Sequence, residues 1–150
     1  MLRKGRGYMI RVVDNIEDPL IKLIEDDPVR PEISKEFRIS SGNQVFVLVE
    51  GSKHLGVLCV AYREGIPSSV EELLNSREGN RAVFYTIWSY KPGSGRQLIV
   101  EARSWISSNK PGIDMYVTLS PPTELARKFH LSNGAKVGRF NEGTVNYIYD

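Results

Sequence analysis

Apolar and polar residues follow two periods along this chain, and the period changes at definable points. Runs rich in β-branched and aromatic residues at Tyr8–Val13, Val45–Glu50, Leu55–Tyr62, Ala82–Ser89, Asp114–Leu119, Ala135–Phe140 and Thr144–Tyr149 read as strands. The second and third runs are almost continuously apolar and are joined by Gly51-Ser52-Lys53-His54, which predicts a hairpin covered on both faces. The last two, joined by Asn141-Glu142-Gly143, predict a closing hairpin. Between strands the spacing turns helical. Asp18-Pro19 starts a helix with Leu20, Ile21, Leu23 and Ile24 on one face, ended by Asp26-Asp27-Pro28, and residues 31–38 add a short one. Ser68 and Ser69 stand at capping-box spacing from Glu71 and Glu72 and open a helix to about Ser76. Residues 97–107 carry Leu98, Ile99, Ala102, Trp105 and Ile106 on one stripe. Ser120-Pro121 reads as the cap of a last helix, with Leu125, Ala126 and Phe129 inward and Asn133-Gly134 as terminator. In the second half, strand, helix and strand follow at βαβ spacing, so a parallel pair with a right-handed crossover is expected.

Composition narrows the class. A chain of 150 residues, 41% hydrophobic and with a net charge of +2, is too apolar and too weakly charged for disorder, and its length suits one domain over 1–150 with a loose basic tail at 1–7. No run approaches the roughly 18 apolar residues of a membrane span. The basic start Met1-Leu2-Arg3-Lys4-Gly5-Arg6 has no apolar segment after it and does not read as a signal peptide. The single cysteine, Cys59, lies in an apolar run and reads as a core residue of a cytoplasmic protein. With only that Cys and the distant His54 and His130, no metal site is expected. Arg3, Lys4, Arg6 and Arg11 form a basic tail, but the low net charge and the lack of a recognition motif argue against a nucleic-acid partner.

The most informative stretch is Ser89–Leu98. A strand ends, Gly93 and Gly95 sit one residue apart, and a helix begins at once. Amides at a helix N-terminus lack intrahelical partners and point along the positive end of the dipole, so such a turn suits a phosphate. Lys91 and Arg96 add positive charge, and from Lys91 to Lys110 only Glu101 is acidic. The alternative is a tight turn whose glycines only supply positive φ, and a Gly-x-Gly pair by itself does not decide between the two. Neither a Walker ending nor the third glycine of the dinucleotide fingerprint is present.

Strand, Lys91-Pro92-Gly93-Ser94-Gly95-Arg96-Gln97-Leu98 and helix together resemble the acyl-CoA-binding motif of the GNAT acyltransferase superfamily. The segment Ala126–Ala135, with the pair Phe129-His130 ahead of Gly134, resembles that family's late helix. The resemblance is clear over about residues 82–149. It implies an α/β fold, a mixed and mostly antiparallel sheet of six or seven strands flanked by helices, with a central parallel pair splayed at the cofactor site. It implies an acyl-CoA-dependent N-acyltransferase, with acetyl-CoA as the default donor and an amine-bearing small molecule or protein as acceptor. The other class is a GNAT-fold binding or regulatory protein without turnover that keeps CoA affinity. Members often pair through the exposed final hairpin, which makes a homodimer an open expectation. Carried over by position, Gly93, Ser94, Gly95, Arg96 and Gln97 would cradle the pyrophosphate with Lys91 nearby. Ile87, Trp88 and Ser89 would line the pantetheine arm, and Asn133 would lie near the thiol. A main-chain N–H, assigned to Trp88, would polarise the thioester carbonyl. Three departures stand out: Tyr90 replaces the usual Gln or Arg, the segment from strand end to glycine is shorter than usual, and His130 replaces the usual tyrosine acid.

For the chemistry, His130 is the candidate general acid, since an unperturbed imidazole titrates near ~6.5. Its alternative is a surface or half-buried histidine on a helix that also carries Arg127 and Lys128. Glu50, at a strand end, and Tyr85 are candidate bases, with a polar strand end and a core tyrosine as alternatives. Tyr147 and Tyr149 would face an acceptor groove or simply the opposite helix. Thr118-Leu119-Ser120-Pro121-Pro122 also resembles a segment of the malonyl-CoA decarboxylases, although a capping role accounts for Ser120. The acidic run Asp14, Glu17, Asp18, Glu25, Asp26 and Asp27 would suit a cationic acceptor.

Overall fold

The computed structural model describes residues 7–150, so most of the expected basic tail lies outside the described residues. Seven strands form one sheet: β1 (Tyr8–Val13), β2 (Asn43–Glu50), β3 (Lys53–Arg63), β4 (Arg81–Ser89), β5 (Met115–Thr118), β6 (Lys136–Phe140) and β7 (Val145–Tyr149). Their order is β1-β2-β3-β4-β5-β7-β6. All neighbours are antiparallel except β4 and β5, which pair in parallel through four residues each, from Arg81↔Met115 to Phe84↔Thr118. The β2–β3 hairpin is buried on both faces, and Cys59 at its middle is a free, fully buried thiol.

Two helical layers cover the sheet. On one face α3 (Ser94–Asn109) buries Leu98, Ile99, Ala102 and Ile106 against Phe46, Leu58 and Phe84. A Leu or Ile buried this completely contributes about 2 kcal/mol of transfer free energy. Helix α4 (Glu124–Ser132) lies beside it with Phe129. On the other face the segment Pro19–Asp26 packs Ile21 and Ile24, and α2 (Val70–Asn75) packs Leu73, against Val45, Val57 and Tyr85. Pro19–Asp26 is a 3₁₀ helix, tighter than the α-helix its spacing suggests; Asp18 caps it as expected, accepting from the Leu20 N–H at 2.9 Å. The short helix expected within 31–38 is α1 (Lys35–Arg38). Ser69 caps α2, and Glu72 reaches back to the Ser68 N–H.

Helix α4 departs from its sequence pattern. Its cap is Thr123, whose hydroxyl accepts from the Ala126 N–H, and not Ser120. Starting there, the inward stripe runs through Ala126, Phe129 and His130, and Leu125 is 81% exposed. Among the described residues no helix is long and apolar enough to cross a membrane, and no cluster of His, Cys, Asp and Glu could hold a metal ion.

Candidate active site

Beyond Phe84 and Thr118 the parallel pair comes apart. The Leu119 N–H donates to the Phe84 carbonyl at 2.9 Å, and that is the last link between the two strands. Ser120 then exchanges two 2.9 Å backbone bonds with Val145 of β7. Side chains fix this turn-away. The Thr118 hydroxyl accepts from the Tyr147 N–H at 3.0 Å and from the Ser120 hydroxyl at 2.7 Å, and the Asn146 amide donates to the Thr118 carbonyl. Pro121 and Pro122 have no N–H with which to rejoin β4. Meanwhile β4 continues along β3, with a register shift opposite Cys59/Val60 that leaves Tyr85 without a counterpart, a bulge. Between the arms opens a V-shaped cleft of about 670 Å³.

The cleft runs through the sheet. Phe84, Ile87, Ile99 and Phe129 line it from the α3 face, and Tyr85, Trp88 and Leu119 from the other, where Pro28 and Val29 form a wall. Asp27 holds that wall: its carboxylate accepts from the Val29 and Arg30 N–H groups and the Thr86 hydroxyl, and forms a 2.6 Å ion pair with Arg38 in which both side chains are fully buried. Arg38 also reaches the Cys59 sulfur, the Arg30 carbonyl and the Ile33 carbonyl. Burial dominates at Cys59 and pushes its thiol up to about 11.

His130 lies in the cleft wall, 4% exposed, stacked on Tyr147 and 2.7 Å through Nδ1 from the Tyr149 hydroxyl. So α4 buries this histidine, and Tyr147 and Tyr149 face it. Burial lowers its pKa to about 4, so at neutral pH it is an uncharged imidazole. The imidazolium that the expected general acid would need is scarce at neutral pH, which weighs against that role without settling it.

At the glycine turn the helix begins at Ser94, three residues earlier than the apolar stripe suggests. Gly93 is its N-cap at φ +86°, a left-handed conformation that favours glycine, and no side chain caps the first turn. Gly95 is there for contact. A Cβ at this position would meet the Phe129 ring at 2.8 Å and the Ser89 hydroxyl at 3.2 Å. Arg96 is exposed at the first turn. The Ser94 hydroxyl donates to the Leu55 and Lys91 carbonyls, which makes Ser94 a structural residue of the turn. Gln97 lies on the first turn too, with its amide on Glu101.

The arms of β4 sort themselves by backbone direction. The Tyr90 N–H donates to the Leu55 carbonyl, and alternation places Trp88, opposite Val57, in a hydrogen-bonded pair with β3 as well. The Trp88 amide is therefore used in the ladder, and it is Ile87 and Ser89 whose main-chain groups turn to the cleft. Glu50 and Asn133 are not brought into it. Glu50 lies 3.8 Å from Lys91 at the sheet's end, partly neutralising that charge, and Asn133 caps α4 by donating to the Phe129 carbonyl ahead of Gly134. Tyr90 bonds Asp26 at 2.6 Å and touches the exposed His54. Sequence reasoning missed Pro28, Val29, Thr86 and Leu119 as cleft residues; only the folded loop brings the first two to the strands.

No family model and no curated protein sequence matches this chain. Solved structures do. It superposes on the malonyl-CoA decarboxylase of Rhodopseudomonas palustris with a TM-score of 0.75 at 18% identity, over 95% of this chain and 56% of that one. The Agrobacterium vitis decarboxylase gives 0.67 at 23%, over 82% and 35%. A Bacillus subtilis acetyltransferase in complex with CoA gives 0.66 at 14%, over 95% and 98%. The chain thus spans 35% and 56% of these two decarboxylases' lengths but nearly all of the acetyltransferase. The likeness is one of fold: the chain has the GNAT fold.

Proposed function

We propose that this chain is an acyl-CoA-dependent N-acyltransferase, moving an acetyl or other acyl group from CoA to a primary amine. The observation that carries the reading is the V-shaped cleft opening beside the first turn of α3, which no side chain caps, although the Ser94 N–H is taken by the Lys91 carbonyl. The Gly95 and Arg96 amides and the Arg96 guanidinium would hold the pyrophosphate. The main-chain groups of Ile87 and Ser89 would bind the pantetheine arm as an added strand would, and one of their N–H groups would polarise the thioester carbonyl. The amine nitrogen then bonds to the carbonyl carbon, the carbon–sulfur bond breaks, and the proton lost by nitrogen is made up at sulfur. His130, neutral and hydrogen-bonded to Tyr149, orients the groups at the cleft's narrow end in this scheme. Its Nε2 can donate only when the Tyr149 hydroxyl donates to Nδ1.

The test is thermal unfolding with and without CoA and acetyl-CoA. A ligand at ~100 times its Kd stabilises by about 2.7 kcal/mol, a shift of several degrees. Arg96→Glu, at an exposed position, should leave the unliganded Tm unchanged and remove most of the shift; no shift at millimolar CoA would refute the reading.

Binding without turnover is the second reading, favoured by a cleft with no lining carboxylate and by the neutral His130. Thiol release from acetyl-CoA across a panel of amines separates the two. Malonyl-CoA belongs in the same panel, because Ser120 lies in the cleft wall and some fold neighbours are malonyl-CoA decarboxylases.

A further inference from the structure

Apart from Ser89, whose hydroxyl lies beside Gly95, the polar side chains that line the cleft are bonded to or enclosed by other groups of the protein. The Thr86 hydroxyl donates to Asp27, the Ser120 hydroxyl to Thr118, and the Thr123 hydroxyl is spent as a helix cap. His130 Nδ1 is held by Tyr149, while the Tyr85 hydroxyl and the Trp88 indole nitrogen are enclosed by protein. No Asp, Glu, Lys or Arg is among the lining residues. The acidic run that a cationic acceptor would need is elsewhere or already engaged: Asp27 pairs with Arg38, Asp26 accepts from Tyr90, and Asp18 caps its helix beside Arg11. A charge placed in this cleft would lose its water and gain no counter-ion, at a cost of several kcal/mol. At about 670 Å³ the space is of the size that holds a drug-sized ligand.

We infer that the part of the cleft walled by Pro28, Val29, Leu119 and Leu125 takes an uncharged apolar group, aliphatic or aromatic, larger than a methyl. This rests on the acyl-CoA reading and narrows it. The group arrives either as the acyl chain of the donor or as the body of an amine that is neutral when bound. Both sources present the same chemistry to these walls.

Calorimetric titration of the full chain distinguishes them. CoA, acetyl-CoA, hexanoyl-CoA and succinyl-CoA form the first arm. Each buried methylene is worth about a factor of four in affinity, so hexanoyl-CoA should bind at least tenfold more tightly than acetyl-CoA and succinyl-CoA no better than acetyl-CoA, if the acyl chain is the source. With acetyl-CoA bound, p-toluidine, neutral at pH 7, and benzylammonium, a cation of similar size, form the second arm. A tenfold preference for p-toluidine assigns the group to the acceptor. Leu125→Asp introduces a carboxylate at the exposed first turn of α4, where the helix dipole tolerates it, and should abolish whichever preference is found. CoA binding with no preference in either arm, or with a preference for succinyl-CoA or benzylammonium, overturns the inference alone. Failure of CoA itself to bind overturns the acyl-CoA reading and this inference together.

Discussion

The two halves of β4 are made of similar residues and live in different surroundings. Arg81–Phe84 is laddered on both sides, to β3 and to β5, so its backbone is fully used. Past the Tyr85 bulge, Thr86–Ser89 is laddered to β3 only, and its other edge faces the cleft. The difference does not come from β4 itself. It comes from Thr118, Ser120 and Asn146, which draw the continuation of β5 toward β7, and from Asp27, which fastens the far wall to Thr86. A free strand edge inside a protein is a device for binding an extended ligand, and here the fold builds it by redirecting the neighbour.

The largest perturbation is aimed at the fastening of the open half. Arg38→Ala strands the Asp27 carboxylate in a fully buried site and should cost about 3–5 kcal/mol in denaturant unfolding. A loss under 1 kcal/mol would mean that the wall behind Tyr85–Ser89 does not depend on the pair. The next concerns the group across the gap. His130 titrates near 4 in the folded chain and near ~6.5 when unfolded, so the unfolded state takes up its proton first as pH falls. Its contribution is intact above pH ~6.5, falls between there and about 4, and amounts to about 3 kcal/mol. His130→Gln should flatten that part of the pH–stability curve; an unchanged slope would show that the imidazole is not buried as described. The smallest effect sharpens the contrast from outside. Leu125→Ser, at 81% exposure, should change stability by less than ~0.5 kcal/mol, measured by urea midpoint.

The laddered half was legible in the sequence, because β-branched runs and the βαβ spacing determine which strands form and that β4 and β5 run in parallel. The open half was legible only in part. The glycine pair marked the helix start, since positive φ and close approach both leave a glycine in the sequence. Ser120-Pro121 carried the signature of a helix cap, yet tertiary hydrogen bonds to Thr118 and Val145 claimed it, and Thr123 took the cap. Leu125 was read inward because it is apolar and adjoins Ala126, yet it sits on the first turn of its helix, at the rim of the cleft and exposed. The burial of His130 was hidden by its charged neighbours, although Ala126, Phe129 and His130 stand at helical spacing. Pro28 and Val29 left no local sign, as their place is set by a carboxylate whose partner Arg38 lies eleven residues on.

Cys59 gives the molecule a reporter of its own. Sequestered beside Arg38 at the sheet's centre, with its thiol held at about 11, it should ignore alkylating reagents until the whole strand pair opens. As the chain's sole sulfhydryl, its rate of modification counts global openings without any label or engineered residue.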